Sequence, residues 1–387
     1  MYQSTQAQVG SVYWDVLHDR SSARDEAKEH TTPDTGMWVI GVSCKSHTAE
    51  RGWCLQERLL SNRSLVFTVD TVQLRCHTET RNIDRTEHSG NWDLSRLPDA
   101  IVRPNTEVVL GSAEWKAIHD SWWNIVIDYS RRSLSKRTDR LVAISGLAAM
   151  FASALGPGYH AGLWRYSLLR DLLWGPQTGC ECRLQRWPRP REYVAPSWSW
   201  ASYDAPIEGD QCGSEDTIVH LARVMACITP LEDDKLPFGQ AVPGGSLLLY
   251  ASTLRCTWAG LHEDDMYEHR DIAVETATLP FALDPGDRLR DNFYGIDCEE
   301  DGDLQDIWFV PLIGERVERG EDGNGMSIKL NGLIITRADS DYWPGGDPES
   351  RRRGEVYRRV GFCAFRPLSL RALRGMSQLQ KEMIELV

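Results

Sequence analysis

The sequence predicts a mixed α+β fold, and three observations carry that expectation. Residues 113–174 repeat apolar side chains at helical spacing. Residues 203–365 break into short β-branched and aromatic runs separated by acidic and Gly/Pro loops. Residues 37–60 read as one strand feeding one helix. A chain of 387 residues, 41 % hydrophobic and 26 % charged, is long enough for two or three domains around sizeable cores. Four regions follow: a poorly patterned stretch 1–36, a region 37–110, a helical region 111–202 and a β-rich region 203–387.

In the opening region, Met37-Trp-Val-Ile-Gly-Val-Ser-Cys44 is long enough for one buried strand, expected to be parallel. Arg51-Gly-Trp-Cys-Leu-Gln-Glu-Arg-Leu-Leu60 reads as a helix. Trp53, Gln56 and Glu57 then share one face, and Leu55, Leu59 and Leu60 pack from the other side. A parallel strand that delivers a helix places polar residues at the carboxyl edge of a sheet, where open α/β folds bind ligands. Glu57 is the leading candidate functional residue. The alternative reading is a solvated helix carboxylate paired with Arg51 or Arg58. Ser64–Thr68 and Thr71–Cys76 follow as two strands joined by a tight turn.

Trp115, Ile118, Trp122, Ile125, Val126 and Tyr129 line one face of a helix over about 113–131, capped by Ser112, with Glu114 in its first turn. Thr138-Asp139 is expected to cap a second helix. Its apolar face is Leu141, Ile144, Leu147, Ala148, Phe151 and Leu155, and Gly156-Pro157-Gly158 ends it. A third helix is expected over about 160–174. Ala195-Pro-Ser-Trp-Ser-Trp-Ala-Ser202 alternates in period two, the pattern of a strand with Trp198 and Trp200 on one face, read as core packing. Further strands are expected near 217–228, 246–255, 307–313, 326–336 and 354–365. Loops are expected at 260–270 among others, a tight turn at Asn331-Gly332, and a short amphipathic helix for the tail at 368–386.

A formal charge of −13 argues against nucleic acid and anionic membranes as general partners, because phosphate contacts need a basic surface. No apolar run reaches the ~18 residues of a membrane span. The first residues lack the order of a secretory signal, so a cytoplasmic location with reduced thiols is expected despite ten cysteines. Cys180-Glu-Cys182 has no second pair at zinc spacing, and His77, His160 and His220 are isolated, so no metal site is expected. Pro243-Gly-Gly-Ser246 lacks the Lys-Ser/Thr of a phosphate loop. Fifteen tryptophans leave open a remote reading as a carbohydrate-binding or hydrolytic β-domain.

Several segments, in order, resemble parts of one family. Arg51-Gly-Trp-Cys-Leu-Gln-Glu-Arg-Leu-Leu-Ser61 resembles the last signature block of the fungal heterokaryon-incompatibility (HET) domain. Thr138-Asp-Arg-Leu-Val-Ala-Ile-Ser-Gly-Leu-Ala148, Tyr159-His-Ala-Gly-Leu-Trp164, Leu172-Leu-Trp174, Ala195–Ser202, Gly332-Leu-Ile-Ile and Tyr357-Arg-Arg-Val-Gly361 are similar to the regions that follow it. Trp53-Cys-Leu-Gln-Glu57 also resembles the Trp-Cys-x-x-Glu helix of TIR domains, and Val39-Ile-Gly-Val-Ser43 the strand before it. The resemblance implies a partial TIR/Rossmann-like sheet and a role in fungal non-self recognition and programmed cell death, through protein partners or self-association. It also implies, as an alternative, NAD cleavage with Glu57 catalytic and Trp53, Gln56 and Ser43 binding. NAD would then be a substrate, and no cofactor is expected. The earlier HET blocks, an aromatic strand ending in Trp-Gly and an Asp-x-x-Cys-Ile-Asn-Gln segment, are not found before residue 51. The expectation is therefore an N-terminally truncated member.

Overall fold

The computed structural model describes residues 28–31, 38–41, 50–67, 71–76, 79–82, 96–102, 107–177, 192–209, 215–264, 267–292, 304–318, 326–338 and 356–387. The chain divides into two units. One comprises residues 1–107 with Arg132–Leu134, the other Val108–Arg131 with Ser135–Val387. Both helices and strands are present, and the fold is mixed α+β.

In the first unit, β1 (Lys28–Thr31) and β2 (Trp38–Gly41) pair antiparallel. The expected parallel strand over 37–44 is thus an antiparallel one, and Ser43 lies outside the described residues. The helix Gly52–Leu60 forms where expected. β3 (Arg63–Phe67), β4 (Val72–Cys76) and β5 (Thr80–Asn82) make a three-stranded antiparallel sheet, and a short helical turn spans Asp99–Val102.

The second unit begins with the helix Ala113–Ser130, whose six expected apolar positions are all buried. The Ser112 hydroxyl accepts from the Trp115 N–H at 3.1 Å, as an N-cap should. The next helix starts later than expected. Arg137–Arg140 and Val142–Ile144 are 3₁₀ turns, and only Ser145–Leu155 is α-helical. Asp139 lies inside the first turn and is not its cap, which is Lys136. The Tyr129 hydroxyl donates to the Arg140 carbonyl at 2.7 Å, and that carbonyl would otherwise serve a continuous helix.

Residues 159–176 correct the expected third helix. β6 (Tyr159–His160) and β7 (Leu163–Trp164) form a two-residue hairpin. Its tip, Ala161 and Gly162, has φ of 46° and 95°, the twist that a right-handed strand pair prefers. A 3₁₀ turn at Arg165–Ser167, a single helical turn at Leu168–Asp171, and β8 (Trp174–Pro176) follow. β8 pairs with β9 (Ile207–Gly209). The Ser-Trp-Ser-Trp segment is not a strand, since Trp200–Ser202 is a 3₁₀ turn. Trp198 and Trp200 are fully buried, as core packing requires, but Ser197 and Ser199 are buried too.

Apart from β9, the described strands of the β-rich region form one ten-stranded sheet. Its path runs β11 (Arg223–Ile228), β12 (Ser246–Ala251), β19 (Glu382–Leu386), β18 (Val356–Leu368), β17 (Met326–Arg337), β16 (Ile307–Glu318), β13 (Leu254–Asp264), β14 (Tyr267–Val274), β15 (Arg290–Asn292), with β10 (Ile218–His220) also on β16. All pairs are antiparallel except β18–β19. The helix Leu370–Ser377 makes that parallel crossover. The expected tail helix therefore ends early and gives way to β19, and the expected loop at 260–270 belongs to the β13–β14 hairpin. Asn331-Gly332 is mid-strand and not a turn. A Cβ at Gly332 would meet the Val310 carbonyl and the Phe309 ring, so glycine serves close backbone approach. Phe309 and Phe365 pack edge-to-face with centroids 4.9 Å apart among Ile328, Leu330, Ile334 and Val360.

Candidate functional site

The helix Gly52–Leu60 is built from its ends inward. No side chain caps its start, and Arg51 is extended there. A backbone pairing holds it instead. The Gly52 N–H donates to the Ser133 carbonyl at 2.8 Å, and the Ser133 N–H donates to the Glu50 carbonyl at 2.7 Å. At the other end, the N–H and hydroxyl of Ser61 donate to the Glu57 carbonyl at 3.2 and 2.7 Å. Leu55 and Leu59 are 1 % and 2 % exposed, and their burial stabilises the helix by roughly 1.5–3 kcal/mol each.

That seating fixes the outer face. Trp53 and Gln56 are half-buried, Glu57 is exposed, and Leu60 is half-buried. Among the described residues nothing pairs with the Glu57 carboxylate, neither Arg51 nor Arg58. The structure brings Trp53, Gln56 and Glu57 onto one face, as the spacing requires. Cys54 is half-buried on the same helix. Among the described residues no group of three His, Cys, Asp and Glu side chains converges to hold a metal. Cys180, Cys182 and His77 lie outside the described residues.

Comparison with family models, with curated proteins and with solved structures found no match to this chain.

In the second unit a buried polar cluster centres on Asp171, 1 % exposed. Its Oδ1 accepts from His119 Nε2 at 2.8 Å and Trp123 Nε1 at 3.1 Å. Its Oδ2 accepts from the Trp164 N–H and the Ser167 hydroxyl, both at 3.0 Å. Four donors compensate the desolvation of one carboxylate. The His119 ring lies flat on Trp115, with centroids 5.0 Å apart and planes 11° apart, and the Tyr166 ring meets Trp115 edge-on. Ser, His and Asp are together, but in the wrong order for nucleophilic catalysis. An activated serine needs the imidazole between hydroxyl and carboxylate, whereas here Asp171 stands between Ser167 and His119. The cluster ties the helix Ala113–Ser130 to residues 163–171.

Two further nodes are structural. Arg359, 1 % exposed, donates from Nη1 to the Leu172 carbonyl at 2.7 Å and from Nη2 to the Trp174 carbonyl, with its guanidinium 3.5 Å from the Trp174 ring centroid. The hairpin tip is the other. The indoles of Trp122 and Trp200 both donate to the Gly162 carbonyl, at 3.3 and 3.1 Å, and the Ser199 hydroxyl donates to the Ala161 carbonyl at 2.5 Å. On the first strand of this hairpin, burial and then Arg165 hold His160 below its ordinary value of 6.5, and burial pushes the Cys227 thiol up to about 12. A thiol so raised stays protonated near neutrality and is a poor nucleophile.

His119, Asp171 and Arg359 were not candidates from the sequence. A signal existed for the first two. Trp115, His119 and Trp123 recur every four residues of one helix, and Asp171 interrupts the apolar run Leu168-Leu-Arg-Asp-Leu-Leu173.

Proposed function

We propose that the chain is a cytoplasmic signalling protein of fungal heterokaryon incompatibility, a non-self recognition protein that promotes programmed cell death through protein partners or self-association. One observation supports this reading most directly. The segment that resembles the last HET signature folds as the helix Gly52–Leu60, buries Leu55 and Leu59, and leaves Trp53, Gln56 and Glu57 on a face that a partner can reach. The charge of −13 favours protein over nucleic-acid partners. Among the described residues one helical run, Arg137–Leu155, has the length and apolarity of a membrane span, but half of it is buried inside the fold.

A second reading keeps the helix and makes it catalytic, with NAD as substrate. Breaking the nicotinamide–ribose bond develops positive charge on the ribose. A carboxylate beside it stabilises that charge and accepts from ribose hydroxyls. The unpaired Glu57 carboxylate favours this reading, and Trp53 one turn away offers a stacking face. Magnitude argues for the first reading. A carboxylate 4 Å from a positive charge contributes about 1 kcal/mol in water, against about 4 kcal/mol in a partly dry site, and Glu57 is exposed.

The test is inducible expression in a fungal host, wild type beside Glu57→Ala, with both proteins confirmed soluble. Signalling by contact predicts growth arrest by the wild type with no NAD consumption by the purified protein, whether or not Glu57→Ala weakens the contact. Arrest lost only in Glu57→Ala, together with NAD consumption by the purified wild type, moves the conclusion to the enzyme. Soluble wild type without growth arrest contradicts the proposal.

A further inference from the structure

The edge of the large sheet carries an apolar outer face with its own counter-charges. On β12, Leu247, Leu249 and Ala251 face the core, which turns Ser246, Leu248 and Tyr250 outward. The register sets Arg223 and Met383 on either side of Tyr250, and Ala226 and Glu385 on either side of Leu248, while Ile228 lies beside Ser246. Tyr250, Met383 and Ile228 are 41 %, 50 % and 57 % exposed, and Met225, at the bulge of β11, is 46 % exposed. Together they form a contiguous patch on the order of 400 Å², the size at which a surface patch on a monomer is often functional.

Arg223 and Glu385 stand at opposite corners of this face, two strands and two residues apart, a separation of about 12 Å from strand spacing and rise. They cannot pair within one copy. Among the described residues neither has an ion-pair partner. The bulge at Met225 also disfavours strand addition along the edge of β11, which leaves the face and not the edge for association.

We propose that this face is a two-fold interface between two copies of the chain. A two-fold axis lying in the interface brings Arg223 of one copy against Glu385 of the other and repeats the contact on the far side, since isologous contacts come in symmetric pairs. Tyr250, Leu248, Met383 and Met225 close over the centre. Charge complementarity selects a second copy as occupant, because the face carries one unpaired charge of each sign at the corners that such an axis exchanges. The area covered, roughly 800 Å² over both copies, falls below that of stable complexes. The dimer is weak, with a Kd of roughly 10–100 µM, and forms where the protein is concentrated. This interface lies on the large sheet and does not involve the Glu57 helix.

The test is analytical ultracentrifugation of the full chain over a wide concentration range, with folding of each variant checked by circular dichroism. The wild type shows a reversible monomer–dimer equilibrium. Arg223→Glu and Glu385→Arg each oppose like charges twice and weaken association about tenfold or more. Mixing the two variants restores dimerisation, because in the mixed dimer both contacts again join opposite charges, and Tyr250→Lys abolishes association. A wild type that stays monomeric at the highest concentration overturns the proposal. So do single variants that dimerise like the wild type, or a mixture that dimerises no better than its components.

Discussion

Replacing Asp171 by asparagine changes almost no volume and tests the buried cluster by hydrogen-bond chemistry alone. Its two oxygens accept from four donors, and two of those, the indole N–H of Trp123 on Oδ1 and the backbone N–H of Trp164 on Oδ2, can only donate. His119 can change tautomer and Ser167 can rotate, but neither adjustment helps the other two. An asparagine amide placed either way must therefore face one N–H with its own. One unsatisfied buried donor costs about 1–3 kcal/mol, and the lost charge assistance adds to it, for a total near 2–3 kcal/mol. For a unit of this size each kcal/mol lowers Tm by about 2–4 °C, so scanning calorimetry should record a fall of roughly 4–12 °C. Asp171→Ala, which removes all four acceptor contacts and leaves a cavity, should cost about 4 kcal/mol or more. Adding Trp123→Phe to Asp171→Asn removes the conflict on one side, and the pair should recover about 1–2 kcal/mol relative to additivity. Asp171→Asn within about 0.5 kcal/mol of wild type would refute the assignment of these donors.

Three further predictions follow the same reasoning. Arg359→Leu strands the Leu172 and Trp174 carbonyls and should cost about 3–5 kcal/mol in urea unfolding, with Arg359→Lys recovering little because it lacks the planar fork. His160 is held below 6.5 in the folded state by burial and Arg165, so the unfolded chain binds more protons. Stability should be at its plateau above pH 6.5 and decline as pH falls through the folded value, and His160→Asn should flatten that slope in denaturation series at stepped pH. Gly162→Ala sets a Cβ into the Trp200 indole at a φ of 95° and should destabilise by at least ~2 kcal/mol, whereas Ala161→Gly, at a φ of 46°, should be neutral or stabilising by up to ~1 kcal/mol in thermal melts.

Local periodicity made some of this fold legible. The helix Ala113–Ser130 and its Ser112 cap follow from spacing and one side-chain oxygen, and Gly52–Leu60 from the Leu55/Leu59 stripe. What spacing missed depends on partners distant in sequence. Residues 160–174 have a helical pattern, yet Trp122, Ser199 and Trp200 hold the 161–162 carbonyls in a hairpin turn. The Ser-Trp-Ser-Trp run alternates like a strand but is buried on both sides, because Ser197 and Ser199 each bond a distant carbonyl. Gly332 reads as a turn residue until Phe309 and Val310 are placed against it. Of the candidate site, Trp53, Gln56 and Glu57 were legible because one helix supplies all three. The Asp171 cluster was not, because its donors come from positions 119, 123, 164 and 167 and only the tertiary fold collects them.

The most direct measurement follows viability and NAD content together in one fungal culture after induction of the wild-type chain. Death signalling through protein contacts predicts that viability falls while NAD holds steady until after cells begin to die. Collapse of NAD before any loss of viability would contradict that account in favour of the enzyme, and full viability with abundant soluble protein would contradict both.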